Sequence, residues 1–545
     1  MNRSFDLRIG IDVGGTNTDA VLLDRYGLVL AKTKQPTTPD VTGGIAAALD
    51  AVLDEMDADA GEVSHVMLGT THATNAVLER RDLGRVAVLR IAGPATRSVA
   101  PLASWPEDLR KTVCVASTIV DGGSYVDGRR PTPLDTEAVK KFLAPLAGAV
   151  DGVAVTGMFS PVSPEDEITV ADLVRDILGD GVHVSLGHEV GSLGLIEREN
   201  ATTLNAALVG VATEVASALR DVLASRGLSP ATLFAQNDGT LMTLDFAMRF
   251  PVLTIGSGPA NSIRGGGYLS GVDEAIVIDV GGTSTDIGVL SGGHPRESTA
   301  AAEIGGIVTN FRMPDVYSVA LGGGTVVSRN GDTELLPHSV GYRIGKEALV
   351  FGGSTPTLTD ASVQAGRVRL GDRRPVRCAQ MLAEALELSD QRIAEAVDRM
   401  KVSREPVPVV AVGGGSHLVP DDLPGASTVV RPRHFDVANA VGAAIALAGG
   451  RWEEVVPSGP ERTLRLERAC EQARRRAVQA GAEPGAVEIT ELVEVPLAYL
   501  ERPAARVTVK AAGPLSASAL EHAVAGARLP GRRPRRFHAI QWRPV

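Results

Sequence analysis

The sequence predicts an α/β protein built from two related halves, followed by a small C-terminal α+β region. Three observations carry this. Residues 9–23 read IGIDVGGTNTDAVLL and residues 276–290 read IVIDVGGTSTDIGVL, with ten of fifteen aligned positions identical at an offset of 267. An offset of that size repeats a domain, not a solenoid unit. Short β-branched runs alternate with stretches of helical apolar spacing, the pattern of α/β layers. The length of 545 residues exceeds what one core needs.

The elements follow in order. Ile9 and Ile11 lead to Asp12, Gly14-Gly15 turn the chain, and Ala20 to Leu23 return it, which reads as a hairpin. Val41–Met56 has helical spacing, as does 164–178. A helix over 197–210 is expected to open the second half. The second hairpin runs from Ile276 to Ile278, turns at Gly281-Gly282 and returns from Ile287 to Leu290. Residues 446–462 hold Gly and Pro, and the composition shifts after them. An Arg-rich helix is expected over 464–481 and short strands over 487–511. The expected domains are therefore 1–195, 196–450 and 451–545. The final stretch, 528–545, carries six Arg and no acid and reads as a solvated end.

Composition narrows the function. Hydrophobic residues are 44% and charged residues 22%, too apolar for a disordered chain. Aromatics are 3%, so the cores must rely on Ala, Val, Leu and Ile. A net charge of −11 argues against a nucleic-acid partner. Cys114, Cys378 and Cys470 have no metal-type spacing, which argues against a local zinc site or a disulfide framework. No 18-residue run lacks charge and the N-terminus has no long apolar stretch, so neither a membrane span nor a signal peptide is expected. A cytoplasmic setting follows as the expectation.

Four glycine-rich loops carry the chemistry: 12–19, 279–286, 320–325 (ALGGGT) and 412–417 (VGGGSH). Missing side chains let several backbone N–H groups converge on one anion. Two such hairpins facing each other can grip a polyphosphate from both sides. The expected donors are Gly14, Gly15, Thr16, Thr18, Gly281, Gly282, Thr283, Thr285, Gly322, Gly323 and Gly324. Asp12 and Asp279 can hold Mg²⁺ through water, because that ion favours one or two carboxylates plus phosphate oxygens. Neither a Walker A motif nor a GxGxxG fingerprint after the first strand is present. Thr70, Thr71, His72, Thr74 and Asn75 form a polar cluster between an apolar strand and a helix. Thr71, His72, Asn75 and Arg198 are substrate candidates. Thr74-Asn75 as a helix cap and Arg198 as a structural ion pair are the competing readings. His188-Glu189 lacks a third ligand for a metal.

The paired DxGGTxTD hairpins resemble those of the actin, sugar-kinase and seventy-kilodalton-chaperone ATPases. That resemblance implies duplicated ribonuclease H-like (actin-like ATPase) lobes, an interlobe nucleotide cleft, and an adenosine loop at Gly413, Gly414 and Gly415. In order, GTTHATNAVLER, FSPVSPEDE, LGLIERENATTLNAAL, SGPA and DVGGTSTDIG then resemble the hydantoinase/oxoprolinase family over about residues 8–450. The family implies ATP- and Mg²⁺-dependent phosphorylation of a carbonyl or cyclic-amide oxygen, then ring opening or carboxylation. It also implies a second, hydantoinase B-type subunit and an oligomer. Catalytic roles fall on Asp12 and Asp279. A ketone carboxylase subunit, a small-molecule kinase and a nucleotide-dependent regulatory subunit are the alternatives. The chain departs from longer members at 338–363 and in its shorter C-terminal region.

Overall fold

The computed structural model describes residues 7–37, 41–56, 62–298, 301–311, 313–371, 378–497 and 503–516. The sequence repeat becomes a repeat of topology. In the first sheet, Val29–Pro36, Asn17–Leu23, Leu7–Val13, Val63–Thr70 and Ala231–Ala235 lie side by side. The first two pairings are antiparallel and the next two parallel. In the second sheet, Val316–Val319, Thr285–Ser291, Ala275–Val280, Val407–Val412 and Ala426–Val430 repeat that order. The pairing senses repeat as well.

Each hairpin forms because apolar residues run along both strands and buried side chains cover both faces. Ile9, Ile11 and Leu22 pack against Ile45 and Leu49 of the helix Val41–Met56 and against Leu219. Ile276, Ile278 and Ile287 pack against Leu382, Ile393 and Val397 of the helix Ala379–Met400. Burying each such side chain contributes about 1.5–3 kcal/mol. A third sheet is inserted after the first lobe's fourth strand. Its parallel strands, in spatial order, are Cys114–Asp121, Val86–Gly93, Gly152–Gly157 and His183–Leu186. Leu89, Val153, Val155 and Val170 fill its core.

The helices Ser257–Ser270 and Ala438–Ala444 cross between the two lobes. They touch backbone to backbone at Gly265 and Gly442. A Cβ on Gly265 would lie 1.8 Å from the Ala438 carbonyl oxygen, and one on Gly442 1.9 Å from that of Asn261. The contact therefore requires glycine on both sides.

The expected domain limits do not coincide with the sheets. The long helix Leu195–Ser225 packs on the first sheet's core and on the inserted sheet, instead of opening the second lobe. Strands Ala231–Ala235 and Leu241–Thr243 complete the first sheet. The C-terminal strands Ala448–Pro457, Ala504–Gly513 and Glu488–Pro496 extend that sheet to nine strands, so they are not a separate layer. Parallel strands need long crossovers, so sheet partners lie far apart in sequence and a linear reading misses them. Local elements agree better: helices run over Val41–Met56, Glu165–Leu178 and Arg462–Gln479. The basic stretch 528–545 lies outside the described residues. Among the described residues, no helix is long and apolar enough to cross a membrane.

Candidate functional site

Both hairpins end at the same side of their sheets and turn alike. Asp12 pairs with Asp19, and Asp279 with Asp286, at equivalent register positions. The Gly14 amide closes the first turn onto the Asn17 carbonyl (3.0 Å), and the Gly281 amide closes the second onto Ser284 (2.9 Å). The amides of Gly15, Thr16, Gly282 and Thr283 make no hydrogen bond among the described residues. The two turns meet: a Cβ on Gly282 would lie 3.5 Å from Thr16 Cγ2. Unspent amides on facing turns form an anion-binding concavity.

Carboxylates line its floor. Asp12 is only 4% exposed. Burial, then the Asp19 and Asp279 charges, push its pKa up to about 7 against a hydrogen bond from Asn439. Asn439 Nδ2 donates to Asp12 Oδ2 (2.9 Å) and to Asp19 Oδ2 (3.0 Å). Asp12 Oδ1 makes no hydrogen bond of normal geometry among the described residues, although the nearby Asn261 side chain also lowers the pKa. A Cβ on Gly69 would lie 2.3 Å from that oxygen, so the neighbouring parallel strand must carry glycine there. Asp19 is raised by burial, opposed by Lys34, whose Nζ lies 2.6 Å away. Asp279 is raised by burial although Ser262 Oγ donates to it at 2.5 Å. Asp286 is likewise raised by burial, opposed by Ser318. An orphaned buried acceptor within a group of mutually repelling carboxylates fits a bound cation, and the free amides fit the phosphates it would accompany.

Several predicted donors are spent elsewhere. Thr18 is buried, with its hydroxyl 3.5 Å from that of Thr37. Thr285 is buried and donates to the Leu321 carbonyl (2.6 Å). The Gly323 and Gly324 amides donate to the Gly281 and Gly282 carbonyls (3.0 and 2.8 Å), and that of Gly322 donates to Thr325 Oγ1 (2.8 Å). The ALGGGT loop therefore braces the second hairpin, and its three glycine amides are spent on that contact and on its own turn. In the VGGGSH loop, Gly413 donates to the Phe435 carbonyl and Gly415 to the Val280 carbonyl. Gly414 alone is exposed, with open space at its α-carbon. Gly413 packs where a Cβ would lie 2.2 Å from Asp279 Oδ1, which brings this loop to the same cleft.

The substrate candidates separate. Thr71 stays at the cleft edge, its amide donating to the Val13 carbonyl (3.2 Å), and Asn75 Nδ2 lies 3.4 Å from Thr71 Oγ1. His72 turns inward. Its Nδ1 is 2.7 Å from Thr70 Oγ1, it borders a small apolar space with Val211 and Phe234, and burial lowers its pKa. Arg198 is fully buried and donates to the Ser192, Leu193 and Gly157 carbonyls. Burial pulls its pKa down to about 10, against nearby Glu167. It is a clamp on the 192–194 loop, because both terminal nitrogens donate to carbonyls, while Nε is buried without a partner among the described residues. His188 Nδ1 is held by Glu167 (2.6 Å), and no cluster of three metal-ligating residues occurs among the described residues. Sequence reasoning missed Asn439, Lys34 and Ser262. Lys34 sits opposite Asp19 on the third strand, a register that alternation alone leaves open. Asn439 is 420 residues from Asp19, and nothing local marks it.

Two matched lobes, with acidic hairpins turned toward each other, define a two-lobed α/β protein with a duplicated sheet topology. The chain belongs to the hydantoinase/oxoprolinase family: residues 8–178 match the hydantoinase/oxoprolinase N-terminal region and residues 198–374 the hydantoinase/oxoprolinase model. It is 28% identical over 418 residues to the caprolactamase subunit alpha of Pseudomonas jessenii, covering 73% of this chain and 58% of that one. It is 29% identical over 416 residues to the acetophenone carboxylase gamma subunit of Aromatoleum aromaticum, covering 68% and 55%. The chain thus spans less than two thirds of the length of these relatives. The crystal structure of the ATP-dependent caprolactamase from Pseudomonas jessenii superposes with a TM-score of 0.76 at 20% identity, covering 93% of this chain and 88% of that one. Nucleotide-free acetone carboxylase gives 0.69 at 16% identity, covering 94% and 88%. At these identities the likeness concerns the fold.

Proposed function

We propose that this chain is an ATP-dependent hydrolase subunit that activates a cyclic amide (a hydantoin, 5-oxoproline or a related lactam) by phosphorylating its carbonyl oxygen. The observation that carries this reading is the pair of facing turns with four unspent amides above the Asp12 and Asp279 carboxylates. A relative named caprolactamase supports the cyclic-amide class. An amide oxygen is a poor leaving group, so ring opening needs activation. When bound, Mg-ATP supplies the phosphoryl group that makes the carbonyl carbon open to attack.

The chain's own residues do the positioning and charge neutralisation on which phosphoryl transfer depends. Gly15, Thr16, Gly282 and Thr283 would donate their unspent amides to phosphate oxygens. Asp12 and Asp279 would hold the metal that accompanies the phosphates. Asn439 and Ser262 fix the angles of those carboxylates. With its pKa near 7, Asp12 can also hold a proton at Oδ1 in the absence of the cation. The ALGGGT brace keeps the second turn rigid, and Gly414 offers an uncrowded backbone for adenosine.

Ketone carboxylation is the second reading, because relatives are named as acetophenone and acetone carboxylase subunits. Those relatives are subunits, so a second, hydantoinase B-type chain belongs to the proposal. The test is phosphate release from Mg-ATP, with and without hydantoins, 5-oxoproline, lactams and ketones. Stimulation by a cyclic amide with appearance of the ring-opened acid supports the first reading. Stimulation only by a ketone with bicarbonate replaces it with the second. A stable phosphorylated product would make the chain a kinase instead.

A further inference from the structure

A cavity of about 340 Å³ lies apart from the hairpin cleft. Its walls come from the loops that follow three parallel strands: 160–164 after Gly152–Gly157, 188–192 after His183–Leu186, and 236–238 after Ala231–Ala235. Crevices outside the carboxyl ends of parallel strands are the usual ligand sites of α/β sheets, and this volume suits a small organic molecule. The fourth wall is 451–455 of the strand Ala448–Pro457, with two arginines of the helix Arg462–Gln479 above it. That strand pairs with Leu241–Thr243 only at Ala448, so its edge beyond is open on this side. No hairpin residue lines the cavity.

Its hydrogen-bonding ledger is lopsided. Each carboxylate on the walls accepts at least one donor, although Glu453 Oε1 has none among the described residues. Asp238 and Glu297 share Lys510 (3.0 and 2.8 Å), and Glu189 pairs with Arg249 (2.5 Å). Glu453 accepts from Thr508 (3.0 Å), and Glu454 from the Trp452 indole (2.8 Å). Arg476 is different. Its guanidinium lies over the Trp452 ring, 5.0 Å from the centroid, with no hydrogen bond or ion pair from its side chain among the described residues. Burial lowers its pKa, opposed by the nearby Glu189 charge, and the half-buried guanidinium keeps its donors unspent. Arg465, at the exposed rim, also has no acid partner among the described residues. A guanidinium stacked on an aromatic face has its donor fork fixed for a planar, bidentate acceptor.

We propose that this cavity is a second ligand site that takes a small organic carboxylate, bound by Arg476 over Trp452 with Arg465 at the entrance. The inference stands independently of the reading of the hairpin cleft. The cavity and the cleft are nevertheless joined by a short segment. Asn237 on the cavity wall accepts from the Gly256 amide (2.7 Å), and the next residue, Ser257, lies with its hydroxyl 3.4 Å from the Thr70 carbonyl at the cleft.

The experiment is calorimetric titration of the full chain with glutarate, benzoate and 5-oxoproline, against a neutral lactam and inorganic phosphate as controls. An ATP analogue is titrated in parallel. The expected result is saturable binding of at least one carboxylate, weakened tenfold or more in Arg476→Gln and two- to threefold in Arg465→Gln. Analogue affinity should stay within twofold in both variants, which separates this site from the cleft. Arg476→Lys, which keeps the charge and loses the fork, should bind with intermediate affinity and guards against a folding defect in the Gln variant. The proposal is overturned if no carboxylate saturates, if the neutral lactam or phosphate binds as well as the acids, or if binding survives Arg476→Gln unchanged.

Discussion

Replacing Asp12 with Asn should stabilise the nucleotide-free protein while abolishing turnover. The folded-state pKa of Asp12 is raised from 3.8 to about 7, chiefly by burial and then by Asp19. A raised carboxylate means the folded chain binds the proton more tightly than the unfolded chain. Its ionisation therefore costs stability as pH rises above the unfolded value, and the cost levels off above the folded one. At 1.36 kcal/mol per unit, the cost is about 4 kcal/mol at pH 8 and about 2 kcal/mol at pH 5. Asp12→Asn is uncharged and escapes it, so its stability advantage should be larger at pH 8 by about 2 kcal/mol. The assay is urea or thermal unfolding of both proteins without Mg²⁺ at the two pH values. Adding Mg²⁺ with an ATP analogue should reverse the order at pH 8, because the wild-type carboxylate then meets its cation and the Asn variant cannot. An Asp12→Asn protein no more stable than wild type at pH 8, or equally shifted at both pH values, would refute the claim that burial strains this carboxylate.

Other expectations follow from the same geometry. Thr285→Val should cost about 1 kcal/mol of stability by orphaning the Leu321 carbonyl. It should leave ATP-analogue affinity within twofold, and a tenfold loss on titration would return Thr285 to the phosphate site. Gly442→Ala forces a Cβ against the Asn261 carbonyl and should cost about 1–3 kcal/mol by prising apart the two crossing helices. A denaturation midpoint equal to wild type would contradict that contact. Arg198→Met strips the donors from the Ser192, Leu193 and Gly157 carbonyls, a loss of about 3 kcal/mol. Folded at low temperature, that variant should keep wild-type KM for the organic substrate, whereas a raised KM would restore Arg198 as a contact.

The sequence alone determined the local elements and the duplicated chemistry. Apolar strands ending in Asp, followed by paired glycines, specify the hairpins through short-range sterics and burial, and the repeat specifies that there are two. Helix Val41–Met56 was legible for the same reason, since its apolar period is written in adjacent residues. Residue type did not decide which donors face the cleft. Thr16 and Thr18 read alike, yet strand alternation and the Thr37 contact bury one and leave the other at the turn. Gly322 to Gly324 read as a phosphate loop until the Gly281 and Gly282 carbonyls were found to take two of their amides and Thr325 the third. Asn439 reaches the hairpin only because its helix crosses the helix before the second lobe. The C-terminal strands likewise joined a sheet begun some 440 residues earlier. Short-range energetics is carried by neighbours in the chain, whereas the partner of a parallel strand, an orphaned carbonyl or a buried charge is chosen by packing across hundreds of residues.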